Sequence, residues 1–183
     1  MRMVLMASVG VMATAAVPAI AFAVDYMSAD QAAQAMFPDA DRFEVRQVSL
    51  DAAQMAKLES LGVSARSPRW AVKVAQRGPT TLGYVVIDEV IGKFELITYA
   101  VGIGMDGAVK QLEILSYRES HGHEIRLAGW RRQFIGKTSA APMRNGDDIG
   151  NISGATLSCN HVTEGVKRIV TLVELAKRSG VLL

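Results

Sequence analysis

The sequence predicts an α+β protein: a twisted antiparallel β-meander packed with flanking helices, ending in a helix that follows the stretch Ser153-Gly154-Ala155-Thr156-Leu157-Ser158. Three observations predict it. From Trp70 the apolar residues alternate, Trp70, Val72 and Val74 against Ala71, Lys73 and Ala75, a period of two that marks a half-buried strand. Asp106-Gly107 lies between two apolar runs and signals a hairpin, because glycine accepts the positive φ of a tight turn. No long helical pattern separates the central strands, which disfavours a parallel doubly wound sheet, whereas Val162, Val166, Ile169, Val170 and Val173 recur at helical spacing near the end.

Residues 1–23 read as a secretory signal peptide. Arg2 supplies the early cation, an apolar run extends to Ile20, and Ala21-Phe22-Ala23 gives the small-x-small pattern of a cleavage site after Ala23. Ser8, Gly10, Thr14 and Pro18 interrupt the run, so it makes a poor membrane-spanning helix, which wants about 20 predominantly apolar residues. No cysteine follows the cleavage site to take a lipid. The expected destination is periplasmic or otherwise extracytoplasmic, with contact to a membrane only through partners or an uncleaved signal.

Residues 24–66 are expected to form an N-terminal helical segment. Ser28, with Gln31 at the capping-box position, starts a short helix that Pro38 ends; a second helix is expected from about Leu50 to Leu61, capped by Ser49 and closed by Gly62. The segment "SARSPRW" has the composition of a connector. The main domain is expected over residues 67–183. It begins with the Trp70 strand, continues through the β-branched run Tyr84 to Ile91, and reaches the strand pair around Asp106-Gly107. Residues 118–150 mix charge, glycine and aromatics without sustained periodicity, as functional surface loops often do. The last helix is expected from about Ser158 to Arg178, ended by Gly180.

Composition narrows the function classes. Among 183 residues, 20 are basic and 18 acidic, for a net charge of +2, and no cationic run is long enough to track a phosphate backbone, which argues against nucleic-acid binding. Cys159 is the single cysteine, so no intrachain disulfide forms and stability must come from an ordinary core. The sequence has no "G-x-S-x-G" elbow, Walker loop or "G-x-G-x-x-G" fingerprint. His121 and His123 would share one side of a strand, but a metal site needs further ligands and only His161 and scattered carboxylates remain; no metal is expected.

"SGATLS" carries the chemical signal. Gly154 allows close backbone approach, hydroxyls flank it, and a helix follows whose first N–H groups have no internal partner and whose dipole favours an anion such as phosphate. Plain N-capping by Ser153, Thr156 or Ser158 is the competing explanation.

The same residues, Ser153, Gly154, Ala155, Thr156, Leu157 and Ser158, resemble the signature of the FMN-binding domain family, found in flavin subunits of Rnf-type and Nqr-type redox pumps and in related exported flavoproteins. "YRESHGHEIRLAGWRRQFIGK" at 117–137 resembles that family's glycine-containing loop and "QF-x-GK" segment, and "VGIGMDGAVKQLEIL" its strand pair, so the likeness covers about residues 67–175. The resemblance implies FMN attached through a phosphoester to Thr156 by a separate flavin transferase. It implies that Glu119, Ser120 and Gly122 line the flavin, that Trp130 or Phe134 lies near the ring, and that Lys137, Arg131 and Arg132 offset the charge of the phosphate or of a reduced flavin. One departure stands out: the family usually has aspartate six residues before the modified threonine, and here that residue is Gly150, with Asp147 and Asp148 out of register. Cys159, where the family often has serine, is expected to pack. The implied function is an exported electron carrier working between redox partner proteins. The alternatives are a flavin-dependent reductase of a small extracytoplasmic acceptor and a flavin-free binding or scaffold module.

Overall fold

The computed structural model describes residues 24–182; the signal-peptide expectation for residues 1–23 lies outside them. Six strands form one antiparallel sheet: β1 (Val24–Asp25), β2 (Arg42–Ser49), β3 (Arg69–Arg77), β4 (Thr80–Ile91), β5 (Leu96–Gly104) and β6 (Val109–Tyr117), in the spatial order β1-β6-β5-β4-β3-β2. From β2 to β6 each strand pairs with its successor, so the predicted meander is present. Among the described residues four α-helices accompany it: α1 (Ala29–Met36), α2 (Ala52–Ser60), the single turn α3 (Ala128–Arg131) and α4 (Thr156–Arg178). None of the described helices is long and apolar enough to cross a membrane.

Both faces of the sheet are covered. On one face α4 packs against β4 and β5, in a core that contains Val74, Tyr84, Val86, Tyr99 and Val101 from the sheet and Val162, Val166, Ile169 and Val173 from the helix. On the other, α1 brings Ala32, Ala33, Met36 and Phe37 against Ala75, Val85, Ala100 and Leu115. The alternate residues of β3, β4 and β5 therefore both meet apolar neighbours, which is why the run from Tyr84 is continuously apolar rather than alternating.

α1 begins as expected: Ser28 Oγ accepts the Gln31 N–H at 3.2 Å, and Gln31 Oε1 accepts the Ser28 N–H at 2.8 Å. Two expectations for residues 24–66 need correction. The segment is not purely helical, because β2 lies within it and pairs along its whole length with β3. It is an edge strand in which only Val48 is fully buried, so "RFEVRQVS" shows no apolar alternation. Second, Ser49 ends β2, and Asp51 caps α2 by accepting the Gln54 N–H at 2.8 Å.

α4 is locked to the sheet by a buried polar triad. Tyr99 Oη donates to Asp88 Oδ2 at 2.8 Å, and Arg168 Nη2 donates to the same oxygen at 2.7 Å. Gly165 makes room for the phenol: a Cβ there would stand 2.8 Å from Tyr99 Cζ and 3.3 Å from Arg168 Nη2. The triad fixes the helix, and with it the position of the turn that precedes it.

Candidate functional site

The site is built on the first residue of α4. The chain reverses at Ile152–Ala155, where the Ala155 N–H donates to Ile152 O at 3.0 Å and Gly154 takes a φ of 82°, a left-handed value that glycine adopts without steric penalty. Ala155 is the N-cap, and no side chain caps the helix. The Cys159 N–H makes the bond to Ala155 O at 2.9 Å, so the amides of Thr156, Leu157 and Ser158 precede the helical ladder.

None of the three hydroxyls caps the helix, as the competing explanation would require. Ser153 is exposed, Ser158 is buried with its Oγ 3.3 Å from Tyr117 Oη, and Thr156 Oγ1 accepts from Asn151 Nδ2 at 3.1 Å. Asn151 is in turn held by Asn145, whose Nδ2 donates to Asn151 Oδ1 at 3.0 Å and to Asn160 Oδ1 at 2.7 Å. Asn145 and Asn151 carry no sequence signal of their own, since isolated asparagines in a loop are common.

Thr156 opens onto a cleft of about 380 Å³. Gly154, Ala155, Leu157 and Ser158 line it with Thr156; Glu119, Ser120 and His121 contribute from the segment after β6, and Lys93 and Phe94 from the turn between β4 and β5. The last two were not legible as site residues, because only the sheet pairing brings their turn to the helix start. Phe94 is 76% exposed and Leu157 44%, large apolar side chains without cover at the edge of a cavity. Lys93 places its ammonium 4.8 Å from the centre of the Phe94 ring.

Glu119 and Ser120 line the cleft, although the Glu119 carboxylate is already engaged. Its Oε1 accepts backbone N–H groups from Lys93, from Phe94 at 2.6 Å and from Glu95 at 3.0 Å. Burial pushes this carboxyl up, but the three backbone bonds and the Lys93 charge outweigh burial and hold it below its ordinary value. Ser120 Oγ lies 2.9 Å from His121 Nδ1. Gly122 lies behind the cleft: with φ at 85°, its missing side chain lets the loop press on Ala155, and Tyr117 Oη donates to His121 O at 2.5 Å just before it.

The other expected contacts are not brought to the cleft. Trp130 is buried, donates Nε1–H to Gly150 O at 2.7 Å, and packs edge-on against Phe134 at 5.1 Å between centroids. Both aromatics are core residues. Lys137 pairs with Asp148 at 2.7 Å, Arg131 pairs with Glu113 and donates to Leu112 O at 2.6 Å, and Arg132 donates to Ala128 O at 3.2 Å. Each cation is committed away from the cleft, and the cation that reaches it is Lys93. Asp148 is committed as well. Burial would raise its carboxyl, but bonds from Arg144 N–H, Lys137 and Met143 N–H lower it to about 2. The Gly150 N–H donates to Gln133 Oε1 at 2.6 Å. Cys159 is fully buried, which pushes its thiol up and keeps it protonated. Among the described residues no three His, Cys, Asp or Glu side chains converge on a metal position.

Residues 92–171 match the model of a family described as the FMN-binding domain. The chain is 33% identical over 106 residues to one component of the proton-translocating ferredoxin:NAD(+) oxidoreductase complex of Clostridium ljungdahlii. That alignment covers 54% of this chain and 57% of the relative, little more than half of either.

Proposed function

We propose that this protein is an exported electron-transfer flavoprotein whose FMN is esterified to Thr156, a reading supported by the match of residues 92–171 to the FMN-binding domain family. The observation that carries this reading is the state of that residue. Thr156 is an exposed hydroxyl on the rim of a cleft, at the start of a 23-residue helix that no side chain caps. Free helical amides and the positive end of the dipole suit a phosphoryl group there, and a phosphoester on Oγ1 would place its negative charge beside them. Asn151 donates to Oγ1, so the hydroxyl proton is directed away from that contact.

The remaining walls fit the rest of such a cofactor. Phe94 and Leu157 offer the exposed apolar surface that a planar ring would cover, and Lys93 offers a positive charge close by. Bound FMN supplies one- and two-electron redox chemistry. The chain supplies attachment, orientation and charge. Covalent attachment suits an exported protein, because occupancy no longer depends on free FMN.

The C. ljungdahlii relative belongs to an assembly named for electron transfer between ferredoxin and NAD(+). By that likeness the partners proposed here are redox proteins on the donor and acceptor sides, together with a flavin transferase that makes the ester.

The test is the intact mass of the secreted chain from a host that has the transferase. Expected are cleavage after Ala23, an added FMN, and yellow colour that survives denaturation. In Thr156→Ala the added mass is lost while the fold remains. Colourless wild-type protein would instead support the scaffold alternative, and steady turnover of a small acceptor by the isolated protein the reductase.

A further inference from the structure

The β4–β5 turn is unusual for a cavity wall. Lys93, Phe94, Glu95 and Leu96 are all exposed, so their side chains give the turn no buried packing to fix its direction. Its own closure is one backbone bond, from the Gly92 N–H to Glu95 O at 2.8 Å. What fixes the turn is a side chain from another element. Glu119, only 7% exposed, aims one carboxylate oxygen at the N–H groups of three successive turn residues. The contact is close enough that a Cβ at Gly92 would stand 2.6 Å from that oxygen and 3.1 Å from Glu119 Cγ. A carboxylate is an acceptor only and can take several donors at once, whereas a methyl group can take none.

We propose that Glu119 is a positioning residue for the cofactor: through these three bonds it holds the Lys93–Phe94 turn in place as a wall of the cleft beside Thr156. This rests on the reading of the cleft as the FMN site. Glu119 adjoins Ser120, so one short segment both lines the cleft and anchors the turn that completes it. The three amide dipoles compensate the carboxylate charge, and Lys93 is the charged residue of the turn that lines the cleft. Loss of the carboxylate would free three backbone donors to seek water and let Phe94 and Lys93 swing away from the cleft.

Two measurements on the full chain test this. In the chain without flavin, Glu119→Ala is expected to speed amide exchange at residues 93–95 by about tenfold or more relative to β3. Glu119→Gln, which keeps an acceptor oxygen but a weaker one, is expected to speed exchange there only a few-fold. In the FMN-loaded chain at equal loading by mass, Glu119→Ala is expected to raise iodide quenching of flavin fluorescence and to change the visible circular dichroism of the flavin; Glu119→Gln restores both. Unchanged exchange at 93–95 in a folded Glu119→Ala protein overturns the anchoring. Faster exchange with unaltered quenching and dichroism overturns the role toward the cofactor. If Glu119→Ala does not fold, Glu119→Gln carries the test: its weaker acceptor predicts exchange a few-fold faster at those amides, and exchange at or below the wild-type rate refutes it. A wild-type chain that gains no FMN mass fails the functional reading instead, and the exchange experiment still decides the anchoring.

Discussion

Replacing Gly122 by alanine tests how tightly the two halves of the site are joined. A Cβ at that position would lie well inside contact distance of the Ala155 Cβ, 2.7 Å from Tyr117 Oη and 3.4 Å from Ala155 Cα, on a backbone with φ of 85°. The left-handed backbone costs a non-glycine residue about 1–2 kcal/mol. Overlap with a packed neighbour adds about 1–3 kcal/mol, since Ala155 is itself only 5% exposed and its Cα cannot retreat like the end of a long side chain. The expected loss is thus about 2–5 kcal/mol, or roughly 4–20 °C in Tm for a chain of this size. Urea and thermal unfolding measure it. Ala155→Gly separates the two contributions, because it removes the atom struck while leaving the φ strain, and glycine is acceptable at an N-cap. The double variant should recover about 1 kcal/mol or more over the sum of the single changes. Stability of Gly122→Ala within about 0.5 kcal/mol of wild type, or strict additivity with Ala155→Gly, would refute the close docking of these turns.

Three further outcomes are expected. Asp148 has its folded-state pKa lowered from 3.8 to about 2, so the stability it provides is complete above its unfolded value and is lost as pH falls through that interval. Asp148→Asn should remove about 1–2 kcal/mol at pH 7, allowing for solvent screening, and flatten the acid limb of stability against pH between about 4 and 2. Gly165→Ala drives a Cβ into the Tyr99 phenol and past Arg168 Nη2, so despite a gain in helix propensity of about 1 kcal/mol it should destabilise by about 1–3 kcal/mol net in denaturant unfolding. Trp130→Phe deletes the donor to Gly150 O and should cost about 1 kcal/mol, yet leave the visible spectrum of bound flavin unchanged; a spectral shift would return Trp130 to the ring's surroundings.

The parts of this molecule that the sequence shows are those governed by local rules. The capping box at Ser28, the alternation from Trp70, the Asp106-Gly107 hairpin and the apolar spacing of α4 each arise within a few residues, and each is present in the fold. β2 is hidden because an edge strand need bury little, and Val45 is 55% exposed within it. The site divides in the same way. The turn Ser153–Ser158 and the pair Glu119 and Ser120 stand out as motifs, and all of them but the exposed Ser153 line the cleft. Lys93 and Phe94 are 26 and 25 residues from the carboxylate that anchors them, and no spacing rule links the two segments. Trp130 and Lys137 show the converse: a motif places them near the site in sequence, while burial of Trp130 and the ion pair of Lys137 with Asp148 hold them away from the cleft.

The structure weighs directly on the choice between attachment and simple capping. Ser, Thr, Asn or Asp at an N-cap typically stabilises a helix by about 1 kcal/mol over alanine, and α1 and α2 both use such a residue in full capping boxes. α4, the longest of the described helices and the one that covers one face of the sheet, has Ala155 at that position although Ser153, Thr156 and Ser158 all lie within three residues of it. A scaffold selected only for stability would gain by moving one hydroxyl to the cap. The observed arrangement instead leaves the first amides without a side-chain partner, holds Thr156 Oγ1 through Asn151, and opens that hydroxyl onto a cleft with uncovered apolar walls. Those features are costs in an empty module, and a phosphate-bearing planar ligand attached at Thr156 would offset all of them together.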